Sequence, residues 1–348
     1  MAYNVTTGSY GTTQRAALSA NTEAIGFLII GVAVFSVQDV IVKIVSDTYS
    51  ITQLLCVRSL IALPLLLAFA RLQDGGVRLR TARPWLNLLR SALMFAAFFS
   101  FYLAVSAVPL SVAVAIAFSS PIVITLVSAW VLGEVVGVRR FAALTAGFAG
   151  VLLITQPGTA QFEPAALFAV ICAVAYGCAQ VIGRVLGRDH ASGQLSVYSA
   201  GFYLCASTGL AALMALGSPD GTGQEAGTAP AWMAFLTRAW VPMPLDDLLL
   251  IAATGVISAV GFVSLAHAYK IGEPSAVAPY EYTGILWALV FGVVLWGDIP
   301  GLTAMCGMAL IVASGSYILW RERVGARRVA AAAPGPDHHL TAHGAAGT

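Results

Sequence analysis

The chain has 348 residues, of which 59% are hydrophobic and only 10% are charged, and its formal net charge at pH 7 is +2. Soluble domains carry about 25% charged residues, so this composition excludes an ordinary soluble protein and indicates a polytopic membrane protein. The small net charge, without a basic run interleaved with aromatic residues, argues against a nucleic-acid partner. All five cysteines lie in apolar stretches without metal-ligand spacing, so we expect neither a metal site nor a cofactor.

Ten apolar stretches follow one another along the chain, each close to the roughly 20 residues that a membrane-spanning helix needs. They are residues 24–45, 51–70, 85–105, 110–132, 139–155, 164–186, 195–216, 246–269, 275–297 and 301–320. The sequence therefore predicts an all-α polytopic membrane protein with ten transmembrane helices. Residues 1–23 form an N-terminal tail without a signal-peptide pattern. The Ala-, Gly- and Pro-rich residues 321–348 are predicted to be a disordered tail.

The distribution of basic residues predicts the orientation. Most arginines outside the apolar stretches lie before the first stretch, in alternate connections, or after the last stretch. The opposite connections hold only Arg238. Since positively charged loops remain in the cytoplasm, both termini are predicted to be cytoplasmic, with the protein in the inner membrane.

The chain also contains an internal repeat. Residues 24–63 match residues 165–204 at a constant offset, and Gly-Glu-x-x-Gly at 133–137 matches Gly-Asp-x-x-Gly at 297–301. Two five-helix repeats are thus predicted, residues 24–155 and 164–320, with an insert at 217–245. Five is an odd number, so the second repeat would be inverted, an arrangement typical of secondary transporters. Within the insert, Ala231–Trp240 is either a helix at the outer membrane interface or a tethered loop.

Arg58 lies inside the apolar stretch 51–70, where a charge is costly unless it faces a partner, water or a ligand. Asp39 and Arg58 are predicted at matching depth, about 10 Å from the same membrane surface, and Lys43 follows Asp39 by one helical turn. These residues are predicted to bind an anionic or zwitterionic group, with Arg58 making a forked contact to carboxylate or phosphate. The alternative is an Asp39–Arg58 ion pair that joins two helices, with Lys43 reaching to the interface.

Glu281 is a second ionisable residue at membrane depth, about six residues inside the ninth stretch. Burial favours the protonated form of a carboxylate, which suits a proton carrier. Asp39 and His267 are the other candidates for proton coupling. The alternative is that Glu281 pairs with His267 or Lys270 and no proton moves.

Aromatic residues are candidates for substrate contact. Tyr102 ends a stripe of four rings on the third helix that either stacks on a planar substrate or packs within the bundle: Phe95, Phe98, Phe99 and Tyr102. Tyr280 and Tyr282 flank Glu281 and are further candidates for substrate binding or gating.

Prolines and glycines predict local helix geometry. Pro121 and Pro279 interrupt the fourth and ninth stretches and predict kinks there. Small residues on the fifth and tenth stretches, such as Gly150 and Gly307, permit close helix packing within the bundle. A homodimer face is the alternative for these small residues.

Three stretches resemble the drug/metabolite transporter superfamily, EamA type. They are residues 35–43 (FSVQDVIVK) with Arg58-Ser59 downstream, residues 121–137, and residues 280–301, which begin Tyr-Glu-Tyr-Thr-Gly. The likeness covers residues 24–322 and is nearest the S-adenosylmethionine and riboflavin permease-like branch. It implies a ten-helix secondary carrier with a central cavity, and it puts four residues at motif positions of that branch: Asp39, Lys43, Arg58 and Glu281.

The leading hypothesis is a secondary transporter that moves a small polar or amphipathic metabolite across the inner membrane by alternating access, with protons as the candidate coupling ion. Arg58 and Asp39 would contact the substrate or gate the outer side, and Glu281 would couple protons or gate the inner side. A lipid-carrier flippase or a non-transporting membrane partner subunit is the alternative. Neither a Walker A pattern nor H-E-x-x-H occurs, so we expect neither direct ATP drive nor an enzyme.

Overall fold

The structure, a computed structural model, describes residues 7–74, 83–132, 138–160, 162–186, 192–217, 230–271 and 278–332. All regular secondary structure in these ranges is helical, because an apolar segment in a membrane must satisfy its backbone hydrogen bonds internally. The α-helices are α1 (Thr7–Val45), α2 (Ile51–Asp74), α3 (Pro84–Ala107), α4 (Leu110–Ala117), α5 (Ser120–Leu132), α6 (Val138–Thr155), α7 (Ala166–Leu186), α8 (Ser192–Gly217), α9 (Ala231–Thr237), α10 (Leu245–Ile271), α11 (Thr283–Phe291) and α12 (Leu302–Ala332). A short 3-10 helix, Ala278–Tyr282, precedes α11, and a π-helix, Gly292–Trp296, follows it.

Seven segments are long and apolar enough to cross a membrane, six of them within one helix and one, Leu110–Val131, across α4 and α5. They are Thr22–Val45, Ile51–Arg71, Pro84–Ala107, Leu110–Val131, Ala166–Gly183, Leu195–Leu216 and Leu245–Leu265. Three further apolar helical segments are shorter: Phe141–Thr155, Tyr280–Trp296 and Leu302–Tyr317. Each of the ten predicted stretches overlaps one of these segments. The all-helical membrane architecture is confirmed, whereas ten membrane crossings stay a prediction.

The terminal tails differ from the prediction. α12 continues to Ala332, so it includes residues 321–332 of the tail that the sequence predicts to be disordered, and residues 333–348 lie outside the described ranges. Residues 321–332 are rich in Arg and Ala, which have high helix propensity, and they extend an existing helix without a new nucleation step. At the other end, α1 begins at Thr7, inside the predicted N-terminal tail.

The insert contains the short helix α9, which packs on the protein. Phe235 is fully buried, and the Trp232 ring lies 5.1 Å from the Phe168 ring of α7. The helix ends at Thr237, and Trp240 Nε1 donates a hydrogen bond to Thr52 Oγ1 at 2.9 Å. The apolar residues of α9 therefore contact the ends of other helices, which fixes the insert over one face of the bundle.

Both prolines lie where the helical path changes. Pro121 follows a break at residues 118–119 between α4 and α5, and Pro279 lies in the 3-10 helix before α11. Proline has no backbone N–H and clashes with the preceding turn, so it disfavours a continuous α-helix at these positions. The motif at 133–137 lies outside the described residues.

The main helix contacts join the two halves of the chain. The largest pairings are α3 with α7, α1 with α10, α6 with α12, and α2 with α8. Glycine permits the closest of these approaches: a Cβ on Gly150 would lie 2.7 Å from the Gly307 carbonyl oxygen, and one on Gly307 would lie 2.6 Å from the Gly150 carbonyl oxygen. These glycines thus pack α6 against α12 within one chain. The homodimer stays a prediction.

Candidate functional site

Four polar side chains from four helices form a closed hydrogen-bonded ring in the interior. Arg58 Nε donates to Ser258 Oγ at 2.9 Å, and Ser258 Oγ is 2.5 Å from Gln38 Oε1. Gln38 Nε2 donates to Tyr102 Oη at 2.8 Å, and Arg58 Nη1 donates to the same oxygen. The ring, which we call the Arg58 ring, links α1, α2, α3 and α10. All four residues are buried, with exposed fractions of 1% for Gln38, 3% for Arg58, 0% for Tyr102 and 1% for Ser258.

Aromatic rings hold the guanidinium in place. The Arg58 guanidinium carbon is 5.3 Å from the centre of the Phe98 ring and 5.6 Å from that of Tyr102. A planar guanidinium is attracted to the negative faces of such rings, and this attraction strengthens when the group is desolvated. Two rings of the predicted aromatic stripe therefore position a buried cation.

Asp39 does not pair with this cation. Arg58 and Asp39, both of which the structure describes, form no ion pair, although the Arg58 charge acts on the Asp39 carboxylate through space. The alternative prediction of an Asp39–Arg58 bridge is wrong, because the guanidinium donates to neutral hydroxyl groups instead. Asp39 is half-buried.

Lys43 contacts residues outside the predicted cluster of Asp39, Lys43 and Arg58. Its Nζ donates to the Val108 carbonyl oxygen at 2.9 Å and lies 3.7 Å from the Asp298 carboxylate. The Trp296 ring centre is 5.1 Å from the same nitrogen. Lys43 therefore joins the end of α1 to the connection before α12, away from the Arg58 ring.

A cleft of about 50 Å³ extends from the Arg58 ring between α2, α3, α8 and α10. Arg58 lines one part of this cleft and Arg90 another, together with hydroxyl groups of Ser59, Ser196, Ser199 and Ser258. No carboxylate is among the described residues that line it. The cleft therefore has a positive potential, and anions are the favoured occupants.

Arg90 was not among the predicted site residues. Its Nη1 donates to Ser199 Oγ at 3.1 Å and lies 3.4 Å from the Leu195 carbonyl oxygen. The signal that identified Arg58, a charge within an apolar stretch, applies equally to Arg90 in the stretch 85–105. Gln38 and Ser258 carry no comparable signal, because an uncharged polar residue is tolerated on many buried helix faces.

Glu281 and Asp39 are within electrostatic reach of residues on successive turns of α7. The Asp39 carboxylate acts electrostatically on Cys172, and Glu281 acts on Tyr176, four residues further along the same helix face. Glu281 is half-buried and lies in the 3-10 helix. The interior face of α7 thus brings both candidate proton carriers to one side of the bundle.

The neighbours of Glu281 have contrasting environments. Tyr280 is 41% exposed, whereas Tyr282 is 6% exposed and its hydroxyl has no hydrogen-bond partner among the described residues. The Tyr282 ring occupies space that a Cβ at Gly315 would fill. The His267 ring is edge-on to Phe27 of α1, with ring centres 4.6 Å apart. The pairing of His267 with Glu281 stays a prediction.

The predicted periplasmic face is closed by hydrogen bonds between connections. Arg238 Nη1 donates to the Ser46 carbonyl at 2.8 Å, and Gln53 Nε2 donates to the Val241 carbonyl at 2.6 Å. Tyr49 Oη donates to the Asp247 carboxylate at 2.5 Å. With the Lys43 contacts, these bonds connect the ends of α1 and α2 to the insert and to α10.

Comparison with known proteins decides the family. The model of the EamA-like transporter family matches the chain twice, over residues 22–156 and 163–320. The chain belongs to this family. It is a membrane transporter rather than an enzyme, and its drug/metabolite transporter resemblance is confirmed.

Curated relatives of this EamA-like transporter are named for different cargoes. An S-adenosylmethionine uptake transporter from Rickettsia bellii is 21% identical over 88% of this chain and 97% of the relative. A riboflavin transporter from Rhizobium johnstonii is 27% identical over 71% of this chain and 74% of the relative. A pseudopaline exporter from Pseudomonas aeruginosa is 27% identical over 80% of this chain and 89% of the relative. One solved crystal structure has the same fold as this chain, with a TM-score of 0.53 at 21% identity. The match covers 87% of this chain and 97% of the chain in that crystal structure.

Proposed function

We propose that this protein is a secondary transporter that moves a small polar or amphipathic metabolite across the inner membrane by alternating access. Arg58 would bind an anionic group of the cargo. This proposal rests on the buried Arg58 guanidinium, which faces a cleft and, among the described residues, forms hydrogen bonds only with hydroxyl groups. A charge at this depth costs about 3 to more than 10 kcal/mol if uncompensated, so a site of this kind is typical of substrate pathways.

Arg58 retains donors for a ligand. Its contacts to Ser258 and Tyr102 use two of the five N–H groups of a guanidinium. Phe98 and Tyr102 fix the plane of the group, which reduces the entropy lost when a carboxylate or phosphate forms a forked contact. A pre-oriented donor pair in a low-dielectric cleft gives a strong and directional interaction.

Asp39 and Glu281 are the proposed proton carriers. Both are half-buried carboxylates on the interior side of the bundle, and neither lies in an aqueous loop. Protonation removes the cost of burying a charge, so each carboxylate can exist in a neutral and an ionised state as its surroundings open and close. Tyr282 and Lys43 would gate opposite ends of the path.

Alternating access is supported by the unequal closure of the two faces. Connections at the predicted periplasmic face are joined by the bonds of Arg238, Gln53, Tyr49 and Lys43. The cleft extends from Arg58 toward Arg90, which lies near the predicted cytoplasmic end of α3. These contacts support the proposal that this conformation is closed to the periplasm, in the predicted orientation with both termini cytoplasmic.

Relatives do not define the cargo or its direction. One is named for uptake of S-adenosylmethionine, one for riboflavin and one for export of pseudopaline. The proposed cargo therefore follows from the chemistry of Arg58: a metabolite with an anionic group, moved either inward or outward.

A ligand screen followed by counterflow tests the function. Purified protein would be heated with a panel of S-adenosylmethionine, riboflavin, amino acids and organic acids, because a ligand at a hundredfold excess over Kd stabilises by about 2.7 kcal/mol. Hits would then be measured for counterflow in proteoliposomes. Arg58→Gln is expected to abolish both responses, whereas Arg238→Gln, the same change outside the cleft, is expected to retain binding. A ligand that binds but never exchanges across the membrane would refute transport.

A further inference from the structure

Three polar residues near the start of α3 leave buried atoms without partners. Asn87 and Ser91 are each 2% exposed. Neither amide atom of Asn87, nor Ser91 Oγ, nor Arg90 Nε has a hydrogen-bond partner among the described residues. Buried polar groups are normally satisfied by hydrogen bonds, so four such atoms in two helical turns need an explanation.

The geometry of α3 brings these atoms together. Asn87, Arg90 and Ser91 are spaced i, i+3 and i+4, so they occupy one face of the helix. The bonds of Arg90 Nη1 to α8 fix the guanidinium, and its Nε points toward α7, where a Cβ on Gly183 would lie 3.2 Å away. The glycine therefore lets the unpaired N–H group lie close to the backbone of α7.

We infer that Asn87, Arg90 and Ser91 form a second oxyanion-binding site, which receives the carboxylate or phosphate group of the cargo. The Arg90 Nε–H, the Asn87 amide and the Ser91 hydroxyl supply three donors, a set that suits a carboxylate or phosphate. The site also lies in the first two turns of α3, where the helix dipole favours negative charge. The cleft reaches Arg90 and supplies the route of entry.

The second site lies at a different depth along α3 from the Arg58 ring. Phe98, whose ring contacts the Arg58 guanidinium, follows Arg90 by eight residues, roughly 12 Å along the helix axis. Both arginines line the same cleft, and the Tyr203 ring is within electrostatic reach of both guanidinium groups. An anion would therefore occupy the two arginines in succession. This inference rests on the proposed transport function, because only a moving cargo visits both.

Residue-specific protection from phenylglyoxal, which modifies guanidinium groups, tests the second site. Protein in nanodiscs would be treated in inorganic phosphate, acetate or chloride at equal ionic strength, and modification of Arg90 and Arg58 would be measured by peptide mass spectrometry. Phosphate or acetate is expected to slow modification of Arg90 at least fivefold relative to chloride. The ratio of the modification rates in phosphate and in acetate identifies the preferred oxyanion. Asn87→Leu, which keeps the side-chain shape, is expected to remove this protection, whereas Arg58→Gln retains it.

The two proposals fail differently in this assay. Protection of Arg58 without protection of Arg90 would overturn the second site and leave the proposed function intact. Protection of Arg90 without protection of Arg58 would support the second site and overturn the role of Arg58. Equal protection of Arg90 in wild type and Asn87→Leu would also overturn the second site. If Asn87→Leu does not fold, as judged by size exclusion, Ser91→Ala provides the same comparison.

Discussion

Removing one hydroxyl from the Arg58 ring should destabilise the protein measurably. Tyr102 Oη accepts hydrogen bonds from Gln38 Nε2 and Arg58 Nη1. Tyr102→Phe keeps the ring and its contact with the guanidinium but leaves both donors unpaired. Each unpaired buried donor costs about 1–3 kcal/mol, so for two donors we expect a loss of about 2–6 kcal/mol in the free energy of unfolding. The loss should lie at the lower end of this range if Arg58 turns toward the cleft.

Equilibrium unfolding in mixed detergent micelles, followed by circular dichroism, measures this loss. Tyr203→Phe is the matched control, because Tyr203 lines the cleft and its hydroxyl forms no hydrogen bond with a described residue. The control should change stability by about 0.5 kcal/mol or less. If Tyr102→Phe is as stable as Tyr203→Phe, the closed ring does not exist in the folded protein.

Three further changes test other contacts. Gly315→Ala places a methyl group in the volume of the Tyr282 ring, so thermal unfolding should show a loss of about 1–3 kcal/mol in the free energy of unfolding. The same change made in a Tyr282→Ala background should not show this loss; an equal loss there would contradict the contact. Gly307→Ala should cost a similar amount, about 1–3 kcal/mol, because the new Cβ meets a backbone oxygen of α6 that cannot move aside; an unchanged melting temperature would contradict this packing. The hydrogen bond to the Asp247 carboxylate raises the pKa of Tyr49 above its ordinary value of 10.0, so its contribution to stability is complete below pH 10 and is lost above it. Tyr49→Phe should therefore show a smaller alkaline loss of stability than wild type; parallel pH profiles would argue against the bond.

The sequence was sufficient to predict the membrane class from composition, the family from its motifs, and the position of Arg58 in the apolar interior, where it is 3% exposed. The partners of Arg58 and Lys43 were not predictable in the same way. Matching depth suggested Asp39 for Arg58, but depth fixes only one coordinate, and the rotation of each helix decides which side chains meet. Residues on four helices form the ring, so no local pattern could identify it.

Arg90 could have been found from sequence, since it is a charge within an apolar stretch. Its neighbours Asn87 and Ser91 could not, because their importance comes from lacking partners, which only a three-dimensional arrangement reveals. The π-helix at Gly292–Trp296 was equally hidden, since no proline marks it. Pro279, in contrast, indicated the irregular start of the same span.

The 3-10 helix at Ala278–Tyr282 gives this span an adjustable length. Each of its residues rises about 2.0 Å and turns about 120°, compared with about 1.5 Å and 100° in an α-helix. Conversion of these five residues to α-helix would shorten the span by about 2.5 Å and rotate its first residue by about 100° relative to α11. Glu281, two residues before α11, would turn by about 40° relative to that helix, toward a different neighbour.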